Sequence, residues 1–449
     1  MSTLPTSWIE TYLGAVVSYG TTVKAEPEDL KPDTWVLELE DIEKDSTKVL
    51  QRLTFSQRQS KSTKNRFEAG DILYGKLRPY LNKVTFADQP GVCTTEIVPI
   101  RPTEAVNGRY LFHWLRHPKF LTYVTDVSHG VNMPRLGTDA GRQAPFVLAP
   151  KNEQKRIADK LDTVLTRLDA VNTRLVRVAP ILKRFRQSVL AAATSGRLTS
   201  EASDDCKGTW SRIRLAAICQ RVSVGHVGVT SQYYTTAENG VPFLRSQNVR
   251  PGRVDTLGLV HITPAFHKQL KKSQLQPGDL LVVRVGANRG DACVVPITLA
   301  GELNCANVVF ARPDPTKVLP KFLEVFFTSP GCQEQLLASS VGGAQGVINT
   351  SVVGAVEVPL PPIEVQAEIV RRVETLFAFA DRLETRLHAA QAATERMTPA
   401  LLAKAFRGEL MPQDSNDEPA SELLRRLQQE APSTRAKRGR RALHEAAVD

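Results

Sequence analysis

The chain has 449 residues, 42% of them hydrophobic and 23% charged, with 58 Lys and Arg against 47 Asp and Glu for a net charge of +11. That length suggests two or three folding units, and that composition excludes wholesale disorder, a collagen-like fibre and a small disulfide scaffold. The six cysteines (Cys93, Cys206, Cys219, Cys293, Cys305 and Cys332) form no Cys-x-x-Cys pair, which argues for reduced thiols in a cytoplasmic protein and against a structural zinc site. The N-terminus, MSTLPTSWIE, has no basic or apolar leader pattern, and no apolar run approaches the ~18 residues of a membrane span. The basic excess is concentrated. Residues 151–201 hold 11 basic and 5 acidic groups, a balance of +6, which favours a polyanionic partner without establishing one.

Residues 1–150 read as a mixed α/β globule. Strand-like runs are expected at 35–39, 72–74 and 97–100 and a helix at 110–115, with Pro90-Gly91 as a turn. Residues 151–198 predict one long helix. Its apolar residues Ile157, Leu161, Val164, Leu168, Val171, Leu175, Val178, Leu182, Phe185 and Val189 alternate in steps of four and three, the spacing of a heptad seam. Pro180 should kink or interrupt it, and Gly196 marks its end. A linker, 199–209, leads to a second globule at 210–361. There, strands are expected at 280–285, 292–297 and 308–311 and a helix at 321–327. Residues 362–410 predict a second long helix with a poorer seam: Ile369, Val373, Leu376, Ala380, Leu383, Leu387, Ala390, Thr394, Met397 and Leu401. Phe377, Phe379 and Leu402 widen its stripe, Pro399 lies inside it and Gly408 marks its end. Residues 411–449 read as a mobile basic tail with a short helix at 421–430. Its run from Arg435 to Arg441 suits either nonspecific phosphate contacts or simple solubility.

The chain contains its own copy. With a shift of 212, 14 of the 49 positions from Pro150 to Leu198 are identical, against about 3 expected from ordinary residue usage. Gln154 falls on Gln366, Ile157 on Ile369, Thr173-Arg174-Leu175 on Thr385-Arg386-Leu387, and Gly196-x-Leu198 on Gly408-x-Leu410. Upstream, Trp8 corresponds to Trp210, Gly70-Asp71 to Gly278-Asp279, and Arg101-Pro102 to Arg312-Pro313. The expected fold is therefore mixed α/β, with two globules separated by two long helices packed as an antiparallel coiled coil about a pseudo-two-fold axis. Leu161, Leu168, Leu175 and Leu182 of one helix would face Val373, Leu383, Leu387 and Leu401 of the other.

Polar and basic residues cluster just beyond some strands. In the first globule these are Lys76, Arg78, Tyr80 and Asn82; in the second they are Arg245, Gln247 and Asn248, then Arg284, Asn288 and Arg289. Arg and Lys can contact guanine and phosphate, and Asn and Gln can read adenine. For any one of them a solvated loop laced with ion pairs is the better explanation, but their recurrence at similar places in two repeats favours nucleic acid. No residues are assigned to catalysis, cofactor or metal. The chain lacks a glycine-rich cofactor loop with an Asn/Asp-Pro-Pro-aromatic motif, a phosphate loop, Gly-x-Ser-x-Gly and His-Glu-x-x-His. Asp29-Leu30-Lys31 and Glu153-Gln154-Lys155 have the acid-x-Lys form of nuclease sites, a pattern common by chance. The reading is a non-catalytic binding protein. A coiled-coil adaptor that joins proteins without touching DNA is the alternative, and a stand-alone nuclease a weaker one.

Trp8…Leu13-Gly14, the run Gly70-Asp71-Ile72-Leu73-Tyr74-Gly75-Lys76-Leu77-Arg78-Pro79-Tyr80-Leu81, the run Pro359-Leu360-Pro361-Pro362-Ile363-Glu364-x-Gln366, and the Gly-x-Leu closing each long helix carry a family resemblance over residues 1–411. The chain resembles the specificity subunit of type I restriction–modification systems. That resemblance implies two target-recognition domains, each reading one half of an asymmetric bipartite site on double-stranded DNA, with the helices fixing the gap. It also implies two modification subunits that methylate adenine with S-adenosylmethionine, and restriction subunits that use ATP and Mg2+, with no cofactor in this chain. The second domain has Val282-Val283-Arg284-Val285-Gly286 where the first has Tyr74-Gly75-Lys76-Leu77-Arg78, so the two half-sites should differ.

Overall fold

The structure is a computed structural model that describes residues 4–199, 210–338 and 346–430. It divides into two compact units, Met1–Arg174 with Ala390–Asp449, and Leu175–Ala389. Each unit holds one globule and a stretch of each long helix: residues 151–174 and 390–405 in the first, 175–194 and 363–389 in the second.

The two globules share the arrangement of their central strands, while the sheet holding the parallel pair has five strands in the first and four in the second. In the first, Ile72–Gly75 is the centre of an antiparallel sheet between Val84–Phe86 and Ile97–Ile100; in the second, Leu280–Val283 lies between Ala292–Val294 and Val308–Pro313. All four residues of each central strand are buried, which is why these runs read as continuously apolar rather than alternating. Both globules also carry one parallel pair, Val36 opposite Val92 in the first and Phe243 opposite Asn304 in the second. Both are closed by an antiparallel pair leading into a long helix: Ile9–Tyr12 with Pro145–Leu148, and Ser211–Arg214 with Glu357–Leu360. The second globule adds Cys219–Val224 along Val308–Pro313.

The repeated motifs mark repeated buried chemistry. Gly70 and Gly278 take φ of +91° and +92°, which glycine adopts without steric cost. The turn places Asp71 and Asp279 so that Oδ2 accepts from the backbone N–H three residues earlier, at Glu68 (2.9 Å) and Gln276 (2.8 Å). Arg101 and Arg312 then grip the same carboxylates through Nε and Nη2. Gln154 accepts from Asn107 N (2.8 Å) and donates to Ala105 O and Ala149 O. Gln366 does the same with Leu319 N (2.8 Å), Lys317 O and Pro361 O. Both glutamines are fully buried, so each is the polar bolt between a globule and the start of its helix.

The long helices run Lys151–Thr194 and Ile363–Ala405, each beginning just after a proline, Pro150 or Pro362. Neither proline interrupts its helix: both helices continue through Pro180 and Pro399. These prolines are exposed, where the lost hydrogen bond costs least. Gly196 and Gly408 close the helices at φ +79° and +75°. Within the second unit the helices run antiparallel, since Arg186 meets Asp381 and Glu384 while Arg372 donates to Leu198 O.

The seam is not a strict heptad. Leu161, Leu168, Leu182, Val373 and Leu387 are buried as expected, whereas Leu175, Leu383 and Leu401 are half-buried. Val171 and Met397 are exposed, and Leu165 and Leu190, outside the seam, are buried. A straight helix drifts off a 3.5-residue repeat, and these helices also pack on the globules, which takes a broader stripe. In the first unit Ile157, Leu161, Leu165 and Leu168 share a core with Leu402, Ala405 and Phe406. The Phe406 ring lies 4.8 Å from Tyr110 and 4.9 Å from Trp114 of the globule. In the second unit Val189, Leu190 and Ala193 join Ile369, Val373, Phe322 and Phe326.

Residues 411–430, expected to begin a mobile tail with a short helix at 421–430, form that helix and pack within the first unit. Asp417 pairs with Arg156 at 2.6 Å, Ala420 N donates to Ser7 O, and the helix Ala420–Glu430 buries Leu423 and Leu424. The basic run from Arg435 to Arg441, Cys206 and most of the 199–209 linker lie outside the described residues. Cys93, Cys219, Cys293, Cys305 and Cys332 are free thiols. Among the described residues no helix is long and apolar enough to cross a membrane and no group of three or more side chains could hold a metal ion.

Candidate nucleic-acid interface

In the first globule the central strand ends at Gly75, where a β-carbon would stand 2.9 Å from the Leu39 side chain and 3.2 Å from Lys83 O. The chain then turns sharply. Arg78 and Asn82 both sit in the left-handed region, at φ +51° and +48°, bracketing the single turn Pro79–Leu81. Such positions store about 1–3 kcal/mol each in a non-glycine residue. The bracket holds Tyr80 outward, 44% exposed. Arg78 Nη2 reaches Asn132 O at 3.4 Å, while Arg78 Nε and Asn82 Oδ1 are buried without a hydrogen-bond partner. Lys76 is half-buried beside them, its N–H donating to Glu96 O.

The matching strand of the second globule ends at Val283 and runs into Arg284, whose Nε also lacks a partner. Gly286 and Gly290, at φ +94° and +92°, shape the turn that exposes Asn288. Arg289 donates to Gly346 O at 2.6 Å. A second cluster follows the strand Val241–Arg245. Arg245 contacts Tyr234 Oη and Gly258 O, lies 5.7 Å over the Tyr234 ring, and again has an unpartnered Nε. Gln247 is exposed. Asn248 is not available for base reading: it is fully buried, accepting from Arg245 N (3.0 Å) and donating to Asp255 O (2.9 Å). Its side chain caps the turn Ser246–Asn248.

That cap has a counterpart which the search for basic residues missed. At the corresponding strand end of the first globule, Asp41 Oδ2 accepts from Glu38 N at 2.7 Å around the turn Leu39–Asp41. Glu38 and Glu40 thus stand where the second globule has Arg245 and Gln247. The signal was the spacing of a capping side chain three residues on. Also outside the earlier candidates is a cleft in the second unit lined by Arg221, His267, Lys268, Lys271, Gln274 and Arg312. Of the acid-x-Lys pairs, Glu153 is buried and held by Trp8 Nε1 (2.8 Å) and Gln413 Nε2 (2.6 Å). Burial raises its carboxyl pKa and these donors oppose the shift, so it bonds the N-terminal segment to the helix.

Two units with the same central strands, different in the polar side chains at matching strand ends, define a class of internally duplicated proteins. Comparison with known families agrees. Residues 34–178 and 229–390 match the family described as type I restriction modification DNA specificity domain. The chain is 33% identical over 384 residues to the type I restriction enzyme EcoBI specificity subunit of Escherichia coli, covering 80% of each chain. It is 30% identical over 359 residues to the EcoKI specificity subunit of Escherichia coli strain K12, covering 76% of each. The HsdS subunit from Thermoanaerobacter tengcongensis shares the fold, with a TM-score of 0.59 and 21% identity over 91% of this chain and 98% of that one. A chain from a structural study of a type I R-M system gives a TM-score of 0.71, at 21% identity over 91% of this chain and all of that one. The protein belongs to the type I restriction–modification specificity family.

Proposed function

We propose that the chain is the non-catalytic DNA-recognition subunit of a type I restriction–modification complex. Each globule reads one half of an asymmetric bipartite site on double-stranded DNA. The long helices, which contribute residues to both units, set the gap between half-sites and dock two modification subunits and, with them, the restriction subunits. Adenine methylation with S-adenosylmethionine, and ATP- and Mg2+-dependent restriction, belong to those partners.

The observation that carries this reading is the contrast between framework and strand ends. The Asp–Arg pairs on buried aspartates and the buried glutamine networks are the same in both globules, while the exposed turns beyond them differ in charge and shape. Arg78, Asn82, Arg245 and Arg284, chosen from sequence, each keep a buried polar atom without a partner.

Methylome sequencing of the host with and without this gene identifies the motif. The subunit reconstituted with its modification partner is then titrated with duplexes carrying that motif or a scrambled one, at several salt concentrations. The expected result is loss of a gapped, asymmetric motif on deletion and a preference of about 10³-fold or more for it in vitro. Equal affinity for all duplexes would favour the adaptor reading instead.

A further inference from the structure

A hairpin of the first unit that no sequence motif singled out lies against the turn at Arg78. His129 and Arg135 close it with a reciprocal pair of backbone hydrogen bonds of 3.2 and 2.9 Å. Gly130, at φ +118°, allows the reversal, and a β-carbon there would stand 3.0 Å from Met133 O. The hairpin is bonded along residues 76–78: Leu136 N donates to Lys76 O (3.0 Å), Arg78 N to Pro134 O (2.7 Å), and Arg78 Nη2 to Asn132 O (3.4 Å). Arg135 is fixed from the side by Glu96 at 3.1 Å.

The tip of this well-braced hairpin is apolar and bare. Val131 is 100% exposed and Met133 47%, and Tyr80 stands a few residues along the bracing segment. Internal packing explains none of the three. At the base of the tip lies the Arg78 guanidinium, whose Nη2 reaches Asn132 O, and Lys76 belongs to the segment the hairpin is bonded along. An apolar tip rising from a polar, cationic base has the chemistry of a DNA contact, in which cations neutralise phosphates and apolar atoms meet thymine methyls or base faces.

We propose that the hairpin 129–135 is a second DNA-contacting element of the first unit, with Val131 and Met133 lying against the bases of its half-site. The inference rests on the recognition reading above and adds an element to it.

The test uses the full chain reconstituted with its modification partner and three duplexes: the methylome motif, the motif with the first unit's half-site scrambled, and the motif with the other half-site scrambled. The variant is Val131→Ser/Met133→Ser, whose exposed positions leave the thermal melt of the complex unchanged. We expect it to lose about tenfold or more in affinity for the motif, the scale of one or two lost base contacts. On the duplex lacking the first half-site the variant and the wild type should bind alike, and on the third duplex the loss should persist. Wild-type affinity of the variant for the motif, with Arg78→Ala still weakened, would overturn this inference and leave the recognition reading standing. An equal loss on all three duplexes would also overturn it. A wild-type complex that does not prefer the motif at all would overturn both.

Discussion

His117 shows how closely one side chain can be tied to the packing of the first unit. It caps the helix Pro118–Asp126 by accepting from Lys119 N at Nδ1 (3.1 Å), stacks on Trp114 at 4.9 Å and meets the edge of Phe406 at 5.4 Å. The capping bond needs a neutral nitrogen. Burial, with Lys119 and Arg407 nearby, brings its pKa down from 6.5 to about 4. Because the folded value lies below the unfolded one, this contribution is complete above pH ~6.5 and is lost as pH falls toward 4. It amounts to about 3 kcal/mol. Urea unfolding across that range should show the decline, and His117→Gln should flatten it; an unchanged pH profile in the variant would refute the assignment. The repeated glutamines make a second residue-scale prediction. Gln154→Leu and Gln366→Leu each strand one backbone N–H and two carbonyls in the core, costing about 3 kcal/mol in the unit concerned. The midpoint of urea unfolding reports it. Both glutamines were visible as repeat positions, but their role was not, because a linear sequence does not show that residue 154 meets 105 and 107. Asn248 misled for the same reason: an amide next to arginine reads as a base contact until its burial is known.

At the scale of elements, strands buried on both faces and the two long helices were legible because their signals are local. Apolar runs and heptad-like spacing persist whatever surrounds them. The packing of the helices was less so, since a seam read at 3.5 residues ignores the globules that share the same faces. The short C-terminal helix was legible at 421–430, but its docking was not, because Leu423, Leu424 and Leu427 do not by themselves show the surface they cover. Truncation after residue 410 should therefore destabilise the first unit by about 3–6 kcal/mol, the value of two buried leucines, while hydrogen exchange in residues 210–338 stays unchanged. Equal exchange throughout, with and without the segment, would show that it contributes nothing. A seven-residue deletion from one long helix preserves its face but shortens it by about 10 Å. In the reconstituted complex it should shift the preferred gap between half-sites or abolish binding, and an unaltered preference would dissociate the helices from spacing.

For the whole molecule, duplication is the organising fact. Offset identities revealed it in the sequence, and the common central strands and common buried networks express it in three dimensions. The duplicated frameworks keep each unit folded while the turns beyond Gly75, Val283 and Arg245 diverge. Recognition should therefore be separable by unit, which affinity for every single base-pair variant of the methylome motif can measure. It would be carried out with the reconstituted wild-type complex and with one whose residues 210–355 are replaced by the corresponding domain of a relative with a different motif. The account predicts that the bases required in one half-site change and those in the other remain as they were. A change in both halves, or in neither, would contradict it.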